Sequence, residues 1–278
     1  MEVPVSELIT IFNRVPILAG YRPSDFQLKI LPGYTNLNIH LKNDQHDWVL
    51  RVPKAATNQT IDRNQEAYNA SLAYGLGIAP ECIWRDESGF SLTRTLLNSR
   101  PITTRELDNQ TVNNSLMATI SRLHKSNNKF QGRVDLRELI EYYYRLTSHE
   151  RRKQIESDYR VALNKVDLLS SLKIPLVPSH NDLVLENILI DEAGTIHLID
   201  WEYASMATPY WDLATLCNVA KFNRKQSKQL LDKYRIENAS LELEILAQYR
   251  FLLKVLTTCW MAAYTRVDLE NVIADLGS

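Results

Sequence analysis

The sequence predicts an α+β protein of two lobes, a small antiparallel β-rich lobe with one main helix followed by a larger, mostly helical lobe. Three observations carry this. Three alternating strands follow one another early in the chain, helical spacing dominates after residue 101, and one short strand–turn–strand unit interrupts the helical half at residues 188–199. At 278 residues, with 45% apolar and 23% charged side chains, the chain can bury a sizeable core, and these values are those of an ordinary globular protein.

Taken in order, residues 6–18 place Leu8, Ile9, Ile11, Phe12 and Val15 at helical spacing, a short amphipathic helix ended near Pro16 that packs on the lobe behind it. Residues 26–31 alternate, Pro32-Gly33 break the pattern, residues 36–42 alternate again, and residues 48–52 form a third strand after the polar turn at 43–47. From 60 to 74 the pattern is helical, with Ile61, Tyr68 and Leu72 on one side and Gly75-Leu76-Gly77 as its stop. Strands at 82–85 and 90–93 flank the turn Asp86-Glu87-Ser88-Gly89. The expected organisation is a first lobe over 1–93, a hinge over 94–101 and a second lobe over 102–278.

In the second lobe Thr104 opens a helical region with Leu116, Ile120 and Leu123 at helical spacing, followed by helices at 135–147 and 149–172. Short strands are expected at 176–177, 188–190 and 196–199, the last two around the turn Asp191-Glu192-Ala193-Gly194, and then helices at 211–221, 224–234 and 241–265.

The formal net charge of −1 leaves no basic footprint for nucleic acid and no polybasic patch for a membrane surface. No apolar run approaches the length of a membrane span, so no membrane insertion is expected. The N-terminus lacks the basic segment and apolar core of a signal peptide. Cys82, Cys217 and Cys259 lie far apart in apolar surroundings and read as buried thiols of a reducing compartment, which makes a cytoplasmic protein the expectation. Nothing in the sequence bears on oligomeric state.

The chemistry gathers in His180-Asn181-Asp182-Leu183-Val184-Leu185-Glu186-Asn187 and Ile199-Asp200-Trp201-Glu202-Tyr203. An acid, an amide five residues on and a second acid eighteen residues after the first can serve a divalent metal. Metal-assisted phosphoryl transfer uses such a set: an Asp that accepts the hydroxyl proton, and an Asn and an Asp on magnesium. Asp and Asn are also ordinary turn residues, and it is the second acid at the end of an apolar strand that favours the chemical reading. A phosphate cradle is available at Gly33-Tyr34-Thr35-Asn36, although the sequence has neither a G-x-G-x-x-G nor a Walker A motif. Arg51, inside the apolar strand Val49-Leu50-Arg51-Val52, needs an acid partner if it faces inward, and the next helix offers Asp62 or Glu66.

Together Gly33-x-Thr35-Asn36, Val49-Leu50-Arg51-Val52-Pro53, Ile61-Asp62-Arg63-x-x-Glu66, Gly77-Ile78-Ala79-Pro80, Leu123-His124, His180-Asn181-Asp182 with Asn187-Ile188-Leu189, and Ile199-Asp200-Trp201-Glu202-Tyr203-Ala204 resemble the choline/ethanolamine kinase family. That family lies within the aminoglycoside phosphotransferase-like group of protein-kinase-like fold, and the likeness is strongest to bacterial choline kinases and thiamine kinases. The resemblance implies ATP and Mg2+, with Asp182 as catalytic acid or base and Asn187 and Asp200 as metal ligands. It implies a nucleotide site of Thr35, Asn36, Arg51 and Glu66, with the backbone of Arg94, Thr95 and Leu96 against adenine. His180 and Asp212 are implied as supports of the catalytic loop, and His124 as a structural residue at a helix end. The chain departs from the family in Leu97-Asn98-Ser99-Arg100, where relatives often carry Gly, and in Trp201, where Phe is more typical.

The implied acceptor is a small cationic alcohol. Aromatic faces recognise a quaternary ammonium, and the resemblance puts Tyr203 and Trp260 at that pocket, with Tyr264 one turn beyond Trp260 and Glu202 as a balancing charge. Choline is the expectation. Thiamine and ethanolamine stay open, an aminoglycoside would want more acids than Glu186, Glu202 and Asp212 supply, and a nucleotide-binding pseudokinase would not need the complete Asp182, Asn187 and Asp200 set.

Overall fold

The structure, a computed structural model, describes residues 3–32, 36–53, 61–234 and 242–264. Thr35 and Gly33 of the expected phosphate cradle lie outside them. The chain opens with helix α1 (Val5–Arg14) and two 3-10 turns, Pro16–Leu18 and Pro23–Asp25. Strands β1 (Gln27–Leu31), β2 (Asn36–Lys42), β3 (Asp47–Pro53), β4 (Cys82–Arg85) and β5 (Ser91–Arg94) form one antiparallel sheet in the order β1-β2-β3-β5-β4. Helix α2 (Arg63–Gly75) sits between β3 and β4 in the chain. Asp62 caps it, its carboxylate accepting from the backbone N–H groups of Asn64 and Gln65.

Side chains alternate across a strand, and in β3 this sends Trp48 and Leu50 to one face and Arg51 to the other. Trp48 and Leu50 join Ile39, Leu41 and Leu92 in a core that α1 closes with Leu8, Ile11 and Phe12. The helix α2 does not follow its expected apolar side. Its buried residues are Glu66, Asn69 and Ala73, whereas Tyr68 is 43% exposed. Ala73 packs with the core of the larger lobe, so the helix leans on that lobe with a polar face that hydrophobic spacing could not announce.

The larger lobe contains α3 (Gln110–His124), α4 (Leu136–Leu146), α5 (His149–Ser170), α6 (Pro209–Val219), α7 (Arg224–Lys233) and α8 (Leu243–Tyr264). Its single large core runs from Leu116, Ile120 and Leu123 of α3 to Leu246, Leu252 and Val255 of α8. Two small sheets lie in it. Strand β6 (Arg100–Pro101) pairs with β8 (Ile188–Ile190), which pairs with β9 (Ile196–Leu198), and β7 (Val177–Ser179) pairs with β10 (Ser205–Ala207). Neither β6 nor β10 was expected, because two and three residues are too few to show an alternation. The end of the connection between lobes is thus sewn into the larger lobe, and Asn98 donates to the Glu192 carboxylate at 3.1 Å.

Cys217 and Cys259 are buried, but Cys82 is exposed on the edge strand β4, which corrects the expectation of three buried thiols. Alternation across a two-faced sheet, one face of which meets solvent, decides this more than the apolar character of its neighbours. No helix among the described residues is long and apolar enough to cross a membrane.

Candidate active site

The site is built on the two β-turn units of the larger lobe. After β7 the chain turns through His180 and Asn181 to Asp182, and after β9 it turns through Ile199 to Asp200. Asn181 and Asp200 take left-handed backbone conformations, φ +65° and +64°. Asn and Asp tolerate that region best among residues with a Cβ, and the contacts around Asn181 hold it there. Its backbone N–H donates to Asp212 Oδ1 at 2.7 Å, and its Nδ2 donates to the Tyr203 carbonyl and to Ser205 Oγ.

Asp212, wholly buried near the start of α6, gathers the loop. Besides Asn181 it receives the His180 backbone N–H at 2.9 Å and pairs with His124 Nε2 at 2.9 Å. Burial works against its charge, but the hydrogen bonds and the charge of His124 hold its carboxyl below the ordinary range. His180 has no solvent exposure and spans the two turns, its Nε2 at 2.9 Å from the Ile199 carbonyl. His124 reaches Tyr234 through Nδ1 at 2.6 Å, so both histidines act as struts.

Asn187 lies at the end of a 3-10 turn and faces Asp182, its Nδ2 donating to Asp182 Oδ2 at 2.9 Å and to the Asp182 carbonyl at 3.0 Å. The Ile199 N–H donates to the Asn187 carbonyl at 3.0 Å and so fixes Asp200 beside the pair. Burial, and then the charge of Asp200, push the Asp182 carboxyl up to about 7. Burial also raises Asp200, against the pull of Arg51. Two acids crowded in this way favour a cation between them. Asp200 Oδ1 is buried with no hydrogen-bond partner, and the Asn187 nitrogen is committed to Asp182, which leaves its carbonyl oxygen as the ligating end. An all-oxygen set of this kind fits Mg2+.

On the sheet side Arg51 Nη1 meets Glu66 Oε1 at 2.6 Å and stands 3.7 Å from Asp200 Oδ1, while its Nε donates to the Gly89 carbonyl. Of the two expected partners it is Glu66 that pairs with Arg51; Asp62 is occupied as the helix cap. Burial opposes both charges, yet each holds the other ionised. Asn36 is buried at the head of β2, and the Thr95 N–H is tied to the Asp47 carbonyl just beyond Arg94, with Leu96 following.

Glu202 is buried, with its side chain 2% exposed and 3.4 Å from Arg63 Nη1, and burial followed by the charge of Asp200 pushes it up to about 8. Tyr203 shares this environment, and burial raises its hydroxyl as well. Trp260 is half-buried and its ring lies 6.1 Å from that of Tyr264, which is 49% exposed. Sequence reasoning missed Tyr143 of α4. It packs edge-to-face against Tyr264 at 6.0 Å, and burial and then the neighbouring tyrosines and Glu202 push it up to about 12. The run Tyr142-Tyr143-Tyr144 was the available signal. Also missed were Arg63, Gln65 and Asn69 on the polar face of α2, whose i,i+4 spacing at 65 and 69 was the trace left in the sequence.

Residues 27–252 match the phosphotransferase enzyme family, APH. The protein LicA of Haemophilus influenzae is 31% identical over 212 residues, 73% of this chain and 60% of that relative, so the match spans less than two thirds of the relative's length. The solved structure of the choline kinase LicA from Streptococcus pneumoniae superposes with a TM-score of 0.81 at 22% identity, covering 90% of this chain and 93% of that one. A choline/ethanolamine kinase family protein from Mesorhizobium loti gives 0.78 at 24% identity, covering 98% and 92%. Both likenesses show the same two-lobed protein-kinase-like fold. With the family matched from β1 into α8, across both lobes and through every loop that carries the acids, the chain belongs to the phosphotransferase enzyme family.

Proposed function

We propose that this protein transfers the γ-phosphoryl group of ATP to the hydroxyl of choline, with Mg2+, giving phosphocholine. The observation that carries the reaction is the Asp182–Asn187 contact beside Asp200, which joins an acid able to hold a proton near neutral pH to two oxygen ligands. Asp182 orients the hydroxyl and takes its proton. Asn187 and Asp200 hold Mg2+, which when bound neutralises charge on the phosphates. Arg51, kept in place by Glu66, faces the nucleotide, with Thr35 and Asn36 at the phosphates and the backbone of Arg94, Thr95 and Leu96 beside adenine. His180 and Asp212 keep Asp182 in position. Most of the rate enhancement in such a site is positioning and charge stabilisation, since the protein forms no covalent bond. The expected division, a first lobe to residue 93, a hinge over 94–101 and a second lobe from 102, puts the nucleotide between the lobes.

The choice of choline rests on the relatives' descriptions and on the aromatic set Tyr203, Tyr143, Tyr264 and Trp260. Such faces each contribute about 0.5–2 kcal/mol toward a quaternary ammonium. Glu202 is committed to Arg63 and adds a negative field toward that cation only where it is ionised, above about pH 8. A cytoplasmic setting suits an enzyme that consumes ATP. Ethanolamine is the second reading, since the description of the Mesorhizobium loti structure names it beside choline. ADP release measured with choline, ethanolamine, thiamine and an aminoglycoside separates them: the highest kcat/KM is expected with choline, and activity confined to thiamine would overturn the choice of acceptor.

A further inference from the structure

The polar face of α2 reaches across to the loop that follows Asp200. Arg63 Nη1 donates to Glu66 Oε2 at 2.7 Å and to Glu202 Oε2 at 3.4 Å, with all three side chains buried. Gln65 Nε2 and Asn69 Nδ2 converge on one acceptor, the carbonyl of Ala204, at 3.0 and 2.7 Å. Asn69 is wholly buried and also pairs with Gln131, accepting from its backbone N–H at 2.8 Å and donating to its carbonyl at 3.1 Å. A Cβ on Gly132 would stand 2.1 Å from Gln65 Oε1, and Gly132 has φ +77°, so the segment beside the loop is shaped to let Gln65 pass.

We propose that Arg63, Gln65 and Asn69 are positioning residues for phosphoryl transfer, fastening α2 to residues 200–204 so that the Arg51–Glu66 pair and Asp200 keep one fixed spacing. The proposal rests on the reading of the site given above. None of the three touches a reacting atom in that reading. Kinase sites of the general type need both a strand cation paired with a helix acid and a metal-binding Asp in place together. Here that condition is met by side chains that join the two parts directly. Arg63 closes a run of alternating acidic and basic side chains, Asp200, Arg51, Glu66, Arg63 and Glu202, in which every neighbouring pair lies within 4 Å. Removing a link leaves the helix folded, since its cap and the packing of Ala73 are elsewhere.

Gln65→Met, Asn69→Leu and Arg63→Met, with Arg63→Lys as the conservative control, test it. Calorimetry of ADP binding with and without Mg2+ needs no acceptor alcohol. The parent should bind ADP more tightly with Mg2+, and each neutral variant should lose at least about fivefold of that Mg2+-dependent gain. Turnover should fall about 10- to 100-fold, as a displacement of the order of 1 Å does, while the KM for the alcohol, which Glu202 and Tyr203 of the same loop help to set, changes by a smaller factor. Arg63→Lys should recover part of both losses, and in the metal-free variants backbone amides at 201–206 should exchange faster. Folded Gln65→Met and Arg63→Met proteins with the parent's Mg2+ gain and turnover would overturn the proposal, as would an alcohol KM that rises as far as the Mg2+ requirement. A parent that binds ADP without any Mg2+ effect would instead refute the reading of the metal site, and the positioning role with it.

Discussion

Asp182→Asn should stabilise the protein while removing its activity. The Asp182 carboxyl is held at about 7 against an ordinary 3.8, chiefly by burial. The folded protein therefore retains a proton that the unfolded chain gives up, and stability falls as pH rises from about 4 to 7. About three pKa units at 1.36 kcal/mol each set a ceiling of about 4 kcal/mol on what ionised Asp182 costs above pH 7. The Asn side chain has the same shape, carries no charge, and its Oδ1 can still accept from Asn187 Nδ2, now 2.9 Å from Asp182 Oδ2. Urea denaturation followed by tryptophan fluorescence, in chelator, should show the variant about 1–4 kcal/mol more stable than the parent at pH 8.5 and nearly equal to it at about pH 3.5, below the unfolded value. Turnover should fall by about 10²- to 10⁴-fold, the usual contribution of a general base. A variant less stable than the parent at pH 8.5, or one with an unchanged pH slope, would refute the account of Asp182 as a crowded acid, and near-normal turnover would refute its role.

Asp212 has the opposite sign. Its folded pKa is depressed, so its contribution is full at neutral pH and is lost as pH falls through the ordinary carboxyl value toward the lower folded one. Asp212→Asn, which leaves His180, Asn181 and His124 sharing a neutral acceptor, should cost about 2–4 kcal/mol at pH 7 by chemical denaturation, with a smaller difference below pH 4. Arg51→Met should raise the KM for ATP by at least about tenfold with little change for the alcohol, and Arg51→Lys should not restore it, because one ammonium cannot meet both Glu66 and the Gly89 carbonyl. Tyr143→Ala should raise the KM for choline by about 2- to 30-fold, the range of one cation–π face, and that for ethanolamine by less. A thiol reagent should modify Cys82 quickly in the native protein and Cys217 and Cys259 only on unfolding, since burial pushes these two thiols up to about 11 and about 12.

What could be read in advance depended on whether the signal was local. The strands β1 to β3 and the long helices of the larger lobe announce themselves by period, and the expected ranges fall within a few residues of the observed ones. The acids and the amide were legible because their spacing is set by two short strands and a turn. Strands β6 and β10 were not, since each exists only by pairing with a partner distant in the chain: Arg100 with Ile190, Ser205 with Ser179. Choosing Glu66 over Asp62 needed the helix cap, and finding Tyr143 beside Tyr264 needed α4 and α8 to be packed together.

The helix α2 shows why a polar face can be harder to read than an apolar one. Its sequence from Arg63 to Asn69 looks like a solvated surface, and of the expected apolar side Leu72 packs against the larger core while Tyr68 is exposed. Burying Glu66 and Asn69 without partners would cost several kcal/mol, so these residues can occupy the interior only because β3 presents Arg51 to Glu66 and the larger lobe presents the Ala204 carbonyl and the Gln131 backbone to Asn69. Each of those partners lies in a different segment of the chain. The helix is therefore placed by hydrogen-bond satisfaction, which is directional, and an apolar face would have tolerated sliding that these bonds do not. In the proposed reaction a nucleotide-side cation and a metal-side acid have to stay at a set distance, and the directionality of these bonds, made by a helix away from the reacting atoms, serves that requirement.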